Sequence, residues 1–375
     1  MEQMDFCKEE CPKSKHKMKN IDKRSNAMKS IYDYSYEELE QLMIYHGMKK
    51  FRAKQIFEWL YRKRVASFDE MTNINKELRS LLQDNYQLST LKLEKKQIAK
   101  DGTTKFLFSL SDGALIETVL MVFDYGNSVC VSSQVGCNMG CDFCASGLLK
   151  KQRDLTTGEM VAQIMAVQQE LDKNEKRVSH IVVMGTGEPF DNYDNVMNFL
   201  NIVNHDLGLA IGARHITIST CGIVPKILQF SKAHYQYNLA ISLHAPNDEL
   251  RNQLMPVNRA YPLEELMAAL KTYMNENNRR LTFEYILLKG INDTKEHASQ
   301  LAHLLRGCNA YVNLIPYNAV DEHGYQGVDR QRAMVFYDLL MKYGVRATIR
   351  KEHGGDIDAA CGQLRAKELK KEGKL

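Results

Sequence analysis

The chain has 375 residues, of which 44% are hydrophobic, so it is long enough for one large domain and a small one. It contains no run of 18 apolar residues and no apolar core of a signal peptide, which argues against a membrane span and against secretion. Nine cysteines are too few for a disulfide scaffold. The two ends, residues 1–30 and 361–375, each carry a net charge of +3, and the rest of the chain carries −2, which gives the formal net charge of +4. Global charge therefore gives no argument for nucleic acid.

Residues 1–30 are polar and rich in lysine, and we expect a disordered leader there. A metal role for its Cys7 and Cys11 stays open, but two ligands in such a segment are weak evidence for one. Residues 31–90 show apolar positions at helical spacing and predict a small helical domain. Within it, residues 49–64 carry seven Lys/Arg against one Glu, interleaved with aromatic residues. This pattern favours an RNA contact, but an amphipathic helix with a solvated basic face explains it equally well. The candidate phosphate contacts are Lys49, Lys50, Arg52, Arg62 and Arg64.

Residues 91–123 predict a β-strand extension with Asp-Gly turns. Strand and helix patterns alternate over residues 124–367, before a basic tail at 368–375. This alternation predicts an α/β fold with a parallel sheet, closed or partly closed as a barrel. The predicted strands are Ser128–Ser133, His180–Met184, His215–Thr220, Asn238–Leu243, Leu281–Leu287, Tyr311–Ile315 and Arg346–Arg350.

Cys137, Cys141 and Cys144 lie in one glycine-containing loop with the spacing C-x3-C-x2-C. Structural zinc is almost always closed by four ligands. Three thiolates can instead hold three irons of a [4Fe–4S] cube and leave the fourth iron open for a substrate. The spacing therefore favours a cluster that takes part in chemistry. Thiols that load iron need a reducing compartment, so we expect the cytoplasm.

This loop resembles the signature of the radical S-adenosylmethionine (SAM) superfamily. Further segments resemble the RlmN-type adenine methyltransferases of ribosomal RNA, and the likeness runs from about residue 30 to 367. The matching segments are Val129–Cys137, Val183–Phe190, Gly212–Thr220, Ile241–Pro246, Asn313–Asn318 and Asp356–Leu364. The resemblance implies a partial (β/α)6 TIM-like barrel of radical SAM type that binds a [4Fe–4S] cluster and S-adenosyl-L-methionine.

The resemblance also implies a mechanism. Cys361 matches a cysteine that takes a methyl group from one SAM; a radical derived from a second SAM then activates that group for addition to adenine C2. Glu117 matches the base that removes the ring proton. Cys130 matches the cysteine that releases the product and leaves a disulfide. The SAM contacts implied in the same way are Gly187, Glu188, Ser219, Ser242, Leu243, His244 and Asn318.

Each of the three catalytic assignments has a structural alternative. Cys130 could be a small core residue, Cys361 a packing residue at a helix end, and Glu117 a solvent-facing residue of its strand. A serine at a strand end, such as Ser219, could cap the next helix. Non-catalytic alternatives for the whole chain are a zinc protein that binds RNA and an iron–sulfur electron carrier.

The main competing reaction is methylation of adenine C8, which confers antibiotic resistance. The C8 relatives typically carry Cys at Val135 and Ala at Pro189, so both positions favour C2. Cys221 replaces a usual Ser, which raises the chance of an off-pathway thiol, and Ala319 replaces a usual Pro. The resemblance implies 23S rRNA as the substrate and flavodoxin or ferredoxin as the electron donor. Some members of the family also methylate the adenine 3′ of the anticodon in tRNA, and the sequence does not decide whether tRNA is a second substrate here. We expect a monomer that does not bind membranes.

Overall fold

The computed structural model describes residues 28–88, 91–318, 323–351, 353–357 and 362–371. The predicted leader, with Cys7 and Cys11, lies almost entirely outside these residues. So does Cys361, whereas its neighbour Gly362 is described. Among the residues described, no helix is long and apolar enough to cross a membrane.

The N-terminal part is built from short helices, as predicted. Helices α1 (Tyr36–Tyr45), α2 (Arg52–Glu58) and α3 (Lys76–Asn85) lie between two short parallel strands, β1 (Lys29–Ser30) and β2 (Tyr86–Gln87). In α1, Ser35 and Glu38 form a reciprocal capping box, which satisfies two backbone N–H groups at the helix start. A π-turn extends α2 over Trp59–Lys63 and ends at Arg64, whose φ of 55° is left-handed.

One ten-stranded sheet dominates the rest of the chain. Its first three strands are antiparallel and form the predicted extension: β3 (Leu91–Ile98), β4 (Thr104–Leu110) and β5 (Leu115–Phe123). A two-stranded sheet of β7 (Gln134–Val135) and β8 (Arg153–Asp154) lies beside the main sheet. The parallel strands are β6 (Gly126–Cys130), β9 (Val178–Val183), β10 (Ile216–Thr220), β11 (Asn238–Ser242), β12 (Leu281–Leu287), β13 (Ala310–Pro316) and β14 (Ala347–Ile349).

The parallel strands follow one another in the order β6-β9-β10-β11-β12-β13-β14, with helices in the crossovers. The predicted α/β barrel is therefore confirmed, with the short β14 as a seventh parallel strand. Predicted bounds differ by up to three residues; the first strand ends at Cys130 rather than Ser133 because the chain then turns into β7. The helices are α4 (Thr157–Asp172), α5 (Tyr193–Asn204), α6 (Val224–Lys232), α7 (Asp248–Leu254), α8 (Leu263–Asn277), α9 (Lys295–Leu304), α10 (Arg330–Lys342) and α11 (Gln363–Lys371).

The two faces of the parallel sheet differ in chemistry. Side chains alternate along each strand, and one set, including Ile181, Ile218 and Ile241, is buried in the main core. The opposite face carries polar residues that are register partners on adjacent strands. Ser242 of β11 pairs with Glu284 of β12, and Glu284 pairs with Asn313 of β13. This polar face, which we call the concave face, opens toward the ends of the strands and positions the candidate site.

Candidate active site

The three-cysteine loop follows β7 and is fixed by backbone hydrogen bonds. The Cys137 N–H donates to the Leu149 carbonyl at 2.9 Å, and the Asp142 N–H donates to the Leu254 carbonyl at 2.9 Å. Gly136 precedes the loop with φ +85°, and a Cβ there would lie 2.2 Å from the Lys150 carbonyl oxygen. Only glycine fits this approach, so the turn that presents the cysteines depends on it.

The loop is also held from the segment after β13. The Tyr317 hydroxyl donates to the Phe143 carbonyl at 3.1 Å, and His323 Nε2 lies 3.1 Å from the Cys144 carbonyl oxygen. Tyr325 donates its hydroxyl proton to Asp142. These contacts come from a part of the chain about 180 residues away, so the complete fold is needed to shape the loop.

The thiols of the loop face one another in a poorly solvated pocket. Loss of solvent, together with the charge of the nearby Cys144, raises the pKa of Cys137 to about 11. Loss of solvent, followed by the charges of Cys144 and Cys137, raises the pKa of Cys141 well above its usual value. Three thiolates can be stable together here only with a cationic partner, so the donor set fits an iron–sulfur core.

The arrangement is less suited to a single metal ion. Among the described residues, no three His, Cys, Asp or Glu side chains converge on one ion position. A structural zinc ion needs such convergence, whereas each cysteine of a cube binds its own iron. The geometry therefore favours the cluster over the zinc alternative.

Glu188 lies close to the cysteine loop, on the segment after β9. It is 4% exposed, and its carboxylate accepts the N–H groups of Phe190 at 2.9 Å and Cys221 at 2.8 Å. Burial raises its pKa, while these hydrogen bonds partly oppose the shift. The preceding Gly187 has φ +113°, and a Cβ there would lie 2.6 Å from Gln134, so the backbone approaches closely at this point.

The other predicted SAM contacts gather at the ends of β10 and β11. Ser219 Oγ and Ser242 Oγ are 3.2 Å apart, and Leu243 is fully buried. His244 has a left-handed φ of 57°, an uncommon conformation for a residue with a Cβ. Asn318 is exposed, two residues beyond β13. The structure thus brings Ser219, Ser242 and His244 to one end of the barrel.

His244 is neutral near pH 7. Burial lowers its pKa to about 3, and the Arg251 charge acts in the same direction. Its Nδ1 accepts the Ile286 N–H at 3.1 Å, which leaves the ring proton on Nε2 as a donor. Its ring meets Phe143 of the cysteine loop edge-on, with centroids 4.9 Å apart. His244 therefore connects the strand ends to the loop as an uncharged donor.

Sequence reasoning missed several supporting residues. Arg251 is fully buried and donates to the carbonyls of Cys221 at 2.6 Å and Leu243 at 3.2 Å. Gln134 accepts the Glu188 N–H at 2.9 Å, and Asn292 donates to the His244 carbonyl at 2.9 Å. These side chains fix the backbone of the strand ends. No local motif indicates them, because their partners lie up to 54 positions away.

Glu117 lies on the concave face of β5, one strand from Cys130. Both it and Lys105 are almost fully buried, and they form an ion pair with Nζ and Oε2 2.9 Å apart. The Glu117 carboxylate also accepts the N–H groups of Gly362 at 2.7 Å and Arg365 at 2.6 Å, at the start of α11. The alternative in which Glu117 faces solvent is therefore wrong.

Gly362 brings the C-terminal segment against the cysteine loop as well. It has φ +83°, and a Cβ would lie 2.8 Å from the Ser146 nitrogen, two residues after Cys144. The residue that follows Cys361 in the sequence thus contacts both Glu117 and this loop. Because Cys361 itself lies outside the described residues, its assignment remains a prediction.

Cys130 ends β6 and is 8% exposed. It packs with Val119 and Met121 on the concave face, and its register partner on β5 is Val119. On β5, Glu117 lies two residues from Val119 on the same face, which separates these two residues by about 7 Å. These apolar neighbours leave the core-residue alternative open, whereas the position beside Glu117 favours a role in the site.

Cys221 is buried beside Glu188. Burial raises its pKa well above the usual value, and the Glu188 charge raises it further. A thiol in this setting stays protonated and nucleophilically weak. The concern that Cys221 is an off-pathway nucleophile therefore finds no support in its surroundings.

The candidate phosphate contacts of the helical region already have partners within the protein. Lys50 pairs with Glu40 at 2.8 Å, and Arg64 pairs with Asp172 at 2.6 Å. Arg62 donates to the Asp206 carbonyl at 2.9 Å. Arg52 donates to Gln55 and Asn73, and Lys49 is exposed. This region is therefore less available to RNA than its composition indicates.

Comparisons with known proteins agree with this geometry. Residues 131–302 match the family model of the radical SAM superfamily, and residues 29–88 match that of the ribosomal RNA large subunit methyltransferase N-terminal domain. A protein of Enterococcus faecalis named "Probable dual-specificity RNA methyltransferase RlmN" is 60% identical over 92% of this chain and 98% of its own length. A Listeria welshimeri protein of the same name is 59% identical over 92% of this chain and 95% of its own length.

A solved structure agrees as well. A radical SAM methyltransferase from Sphaerobacter thermophilus matches with a TM-score of 0.86 and 44% sequence identity, over 89% of this chain and 98% of the other. The two family models and this structural match together cover the N-terminal helices and the barrel of this chain. The chain belongs to the RlmN family of radical SAM RNA methyltransferases.

Proposed function

We propose that this chain methylates C2 of an adenine in RNA. The main substrate is an adenine of the peptidyl-transferase centre of 23S rRNA, and the adenine 3′ of the anticodon in tRNA is the second. Two relatives whose names include "dual-specificity RNA methyltransferase" support this choice of substrates. The reaction takes place in the cytoplasm on a monomer, with flavodoxin or ferredoxin as electron donor.

One observation carries the proposal: Gly362 contacts both Glu117 and the segment that follows Cys144. Gly362 follows Cys361 directly in the sequence. Glu117 lies about 7 Å along β5 from Val119, the register partner of Cys130. These contacts support a common site for the predicted methyl-carrying cysteine, the predicted base and the predicted resolving cysteine. A packing role alone gives no reason for Gly362 to contact both Glu117 and the cysteine loop.

The residues have distinct tasks in the proposed reaction. Cys137, Cys141 and Cys144 would hold a [4Fe–4S] cluster, which would supply the electron for cleavage of SAM. Cys361 carries the one-carbon unit and becomes bonded to C2 through a methylene group. Cys130 then attacks the Cys361 sulfur: an S–S bond forms as the S–C bond breaks, the released methylene carbon takes up a proton to become the methyl group, and the methylated base leaves.

Glu117 removes the ring proton before that release. Among the described residues, its carboxylate accepts the Lys105 ammonium and the N–H groups of Gly362 and Arg365. The same contacts hold the C-terminal segment beside the base.

Strand ends near the cysteine loop bind SAM in this proposal. Gly187 and Glu188 receive its methionine part, while Ser219, Ser242 and His244 contact the remainder. Leu243 and Asn318 complete the set. The neutral His244 donates from Nε2, and the buried Arg251 fixes the Leu243 carbonyl.

C2 is favoured over C8 by two positions. Val135 is fully buried in β7, and Pro189 directly follows Glu188. The C8 reaction is associated with a cysteine and an alanine at these positions. A buried valine beside the loop offers no additional thiol there.

The experiment is an assay of modified nucleosides. Anaerobically reconstituted protein is incubated with SAM, a reductant and a 23S rRNA fragment, and the digested RNA is compared by mass spectrometry with 2-methyladenosine and 8-methyladenosine standards. We expect 2-methyladenosine, two SAM consumed per product, and S-methylation of Cys361 in the isolated protein. A Cys361→Ala variant should load iron normally but form no product. Formation of 8-methyladenosine, or full activity of Cys361→Ala, contradicts the proposal.

A further inference from the structure

The end of the barrel opposite the cysteine loop carries a set of arginines. Arg214, Arg280 and Arg346 stand at the starts of β10, β12 and β14, and all three are exposed. Parallel strands begin at the same edge of a sheet, so these residues share one edge, on every second strand. We call them the arginine rim.

The rim arginines have neutral partners. Arg346 donates to the Asn309 side chain at 2.8 Å, and Arg280 lies 5.0 Å from the centre of the Tyr311 ring. No carboxylate of the described residues forms an ion pair with any of the three. Lys50 and Arg64 of the helical region are ion-paired instead. The rim is therefore a concentration of charge available to an external anion.

Four rings form a connected row at the same end. Phe123 stacks on Tyr125 with centroids 4.8 Å apart, Tyr125 meets His180 at 5.1 Å, and His180 stacks on His215 at 4.5 Å. Tyr125 is 66% exposed, a high value for a large aromatic residue. Burial, followed by the charge of His215, lowers the pKa of His180, so its ring is neutral near pH 7. We call Phe123, Tyr125, His180 and His215 the ring row.

The ring row is continuous with the candidate active site. Phe123 packs on the cluster of Val119, Met121 and Cys130. In the register of β5 with β6, Val119 is opposite Cys130 and Phe123 is opposite Gly126. Phe123 is four residues after Val119 on β5, so it lies about 13 Å along the strand from the register partner of Cys130. The ring of His353 meets Phe123 edge-on, with centroids 4.6 Å apart, at the point where the row adjoins this buried cluster.

We propose that the arginine rim and the ring row together bind unpaired RNA nucleotides next to the target adenine, an inference that rests on the proposed RNA substrate. Single-stranded RNA is bound by positive charge that follows the backbone and by aromatic rings on which bases stack. The rim supplies the charge and Tyr125 the most accessible ring. Bases beside the target stack on the row, and the target adenine is turned out of its stack.

Binding of two synthetic RNAs tests this surface. The probes are a hairpin with adenine in an unpaired loop and a fully paired duplex of the same stem, measured by fluorescence anisotropy at several salt concentrations. Tyr125→Ala should weaken hairpin binding by roughly 5- to 150-fold, the loss expected for one base–aromatic stack. Tyr125→Phe keeps the ring and should bind like the wild type. Duplex affinity should not change in either variant.

The rim is tested by charge removal. Each phosphate contact of a single strand contributes about 0.7 to the slope of log affinity against log salt. Arg214→Gln with Arg280→Gln should therefore reduce that slope by about 1.4. Arg330→Gln, an exposed arginine at the start of α10, is the matched control and should leave the slope unchanged. All variants should keep the wild-type iron content and melting temperature.

Two results would overturn the inference. One is wild-type affinity and slope in both Tyr125→Ala and the Arg214/Arg280 double variant. The other is a loss of affinity confined to Lys49→Gln with Lys50→Gln, which would place the RNA on the helical region. Failure of the proposed function is distinguishable: wild-type protein would then bind the hairpin through Tyr125 yet make no 2-methyladenosine.

Discussion

Two buried carboxylates, Glu117 and Glu188, make similar contacts in different parts of the molecule. Each accepts two backbone N–H groups at 2.6–2.9 Å. Glu188 connects adjacent strand ends of the barrel, to Phe190 and Cys221. Glu117 connects β5 to the C-terminal segment, across 245 positions of sequence to Gly362. One contact thus belongs to a local framework, and the other holds a distant segment in place.

The comparison separates two requirements of the site. The cysteine loop and strand ends must keep a fixed geometry, and buried groups such as Arg251 and Gln134 maintain it. The C-terminal segment next to Cys361 must be held against these strand ends, and Glu117 provides the contact by accepting the Gly362 N–H.

Loss of one cluster ligand should have the largest effect. Cys141→Ala removes one of three thiolates, so we expect no intact cluster and no detectable RNA methylation. Iron and sulfide analysis, with an assay for 5′-deoxyadenosine, measures the result. Cys308→Ala, a change at a partly buried cysteine next to β13, should leave both values at the wild-type level. Full turnover by Cys141→Ala would disprove the cluster assignment.

The Glu117 contact can be tested by a double-mutant cycle with Lys105. Glu117→Gln removes the carboxylate beside a buried ammonium, which should lower the free energy of unfolding by roughly 3–5 kcal/mol. Lys105→Met combined with Glu117→Gln should recover much of that loss, because neither charge is then buried. Urea unfolding measures the stability of all four proteins.

Turnover should not follow stability in this cycle. The double variant still lacks the base, so we expect its methylation rate to stay at least 100-fold below the wild type, in line with loss of a general base. A double variant that regained both stability and turnover would show that Glu117 is only a structural contact.

For the fixed geometry of the strand ends, we expect a smaller, pH-dependent effect on stability at His244. Its pKa in the folded state is about 3, below the ordinary value of 6.5 expected in the unfolded chain. The unfolded state therefore binds a proton first as the pH falls. The contribution to stability is fully present above pH 6.5 and decreases below it, by up to about 1.4 kcal/mol per pH unit, until the folded pKa is reached.

The measurement is the difference in unfolding free energy between wild type and His244→Gln from pH 7.5 to pH 5. We expect the wild-type advantage to shrink as the pH falls. His303→Gln, at an exposed histidine of α9, is the control and should show no such trend. A pH-independent difference for His244→Gln would contradict the neutral, buried state of this ring.

Some of this site could be predicted from sequence because its signals are local. The spacing of Cys137, Cys141 and Cys144 predicts a loop around a metal cluster without reference to the rest of the chain. The alternation of strands and helices fixes the barrel in the same way. Ser219, Ser242 and His244 were predicted through family motifs, and the structure places them together at one end of the strands.

Other features depend on tertiary contacts that no local pattern contains. Lys105 lies within an ordinary-looking strand, and only the antiparallel register of β4 and β5 brings it to Glu117. Composition pointed to Arg64 as a phosphate contact, but its pairing with Asp172 spans 108 positions. Tyr125 and His215 carry no motif, yet the fold aligns them in one row with His180.

The most direct test of the central claim is the fate of RNA on a Cys130→Ala protein. Cys361 should still become linked to the adenine, but no thiol is then placed to break the S–C bond. Cys130→Ala should therefore purify covalently joined to RNA, and nuclease digestion should leave a nucleotide mass on the Cys361 peptide. Cys308→Ala should purify free of RNA. Normal turnover by Cys130→Ala, with no trapped RNA, would show that Cys130 is only a small core residue and would contradict the account.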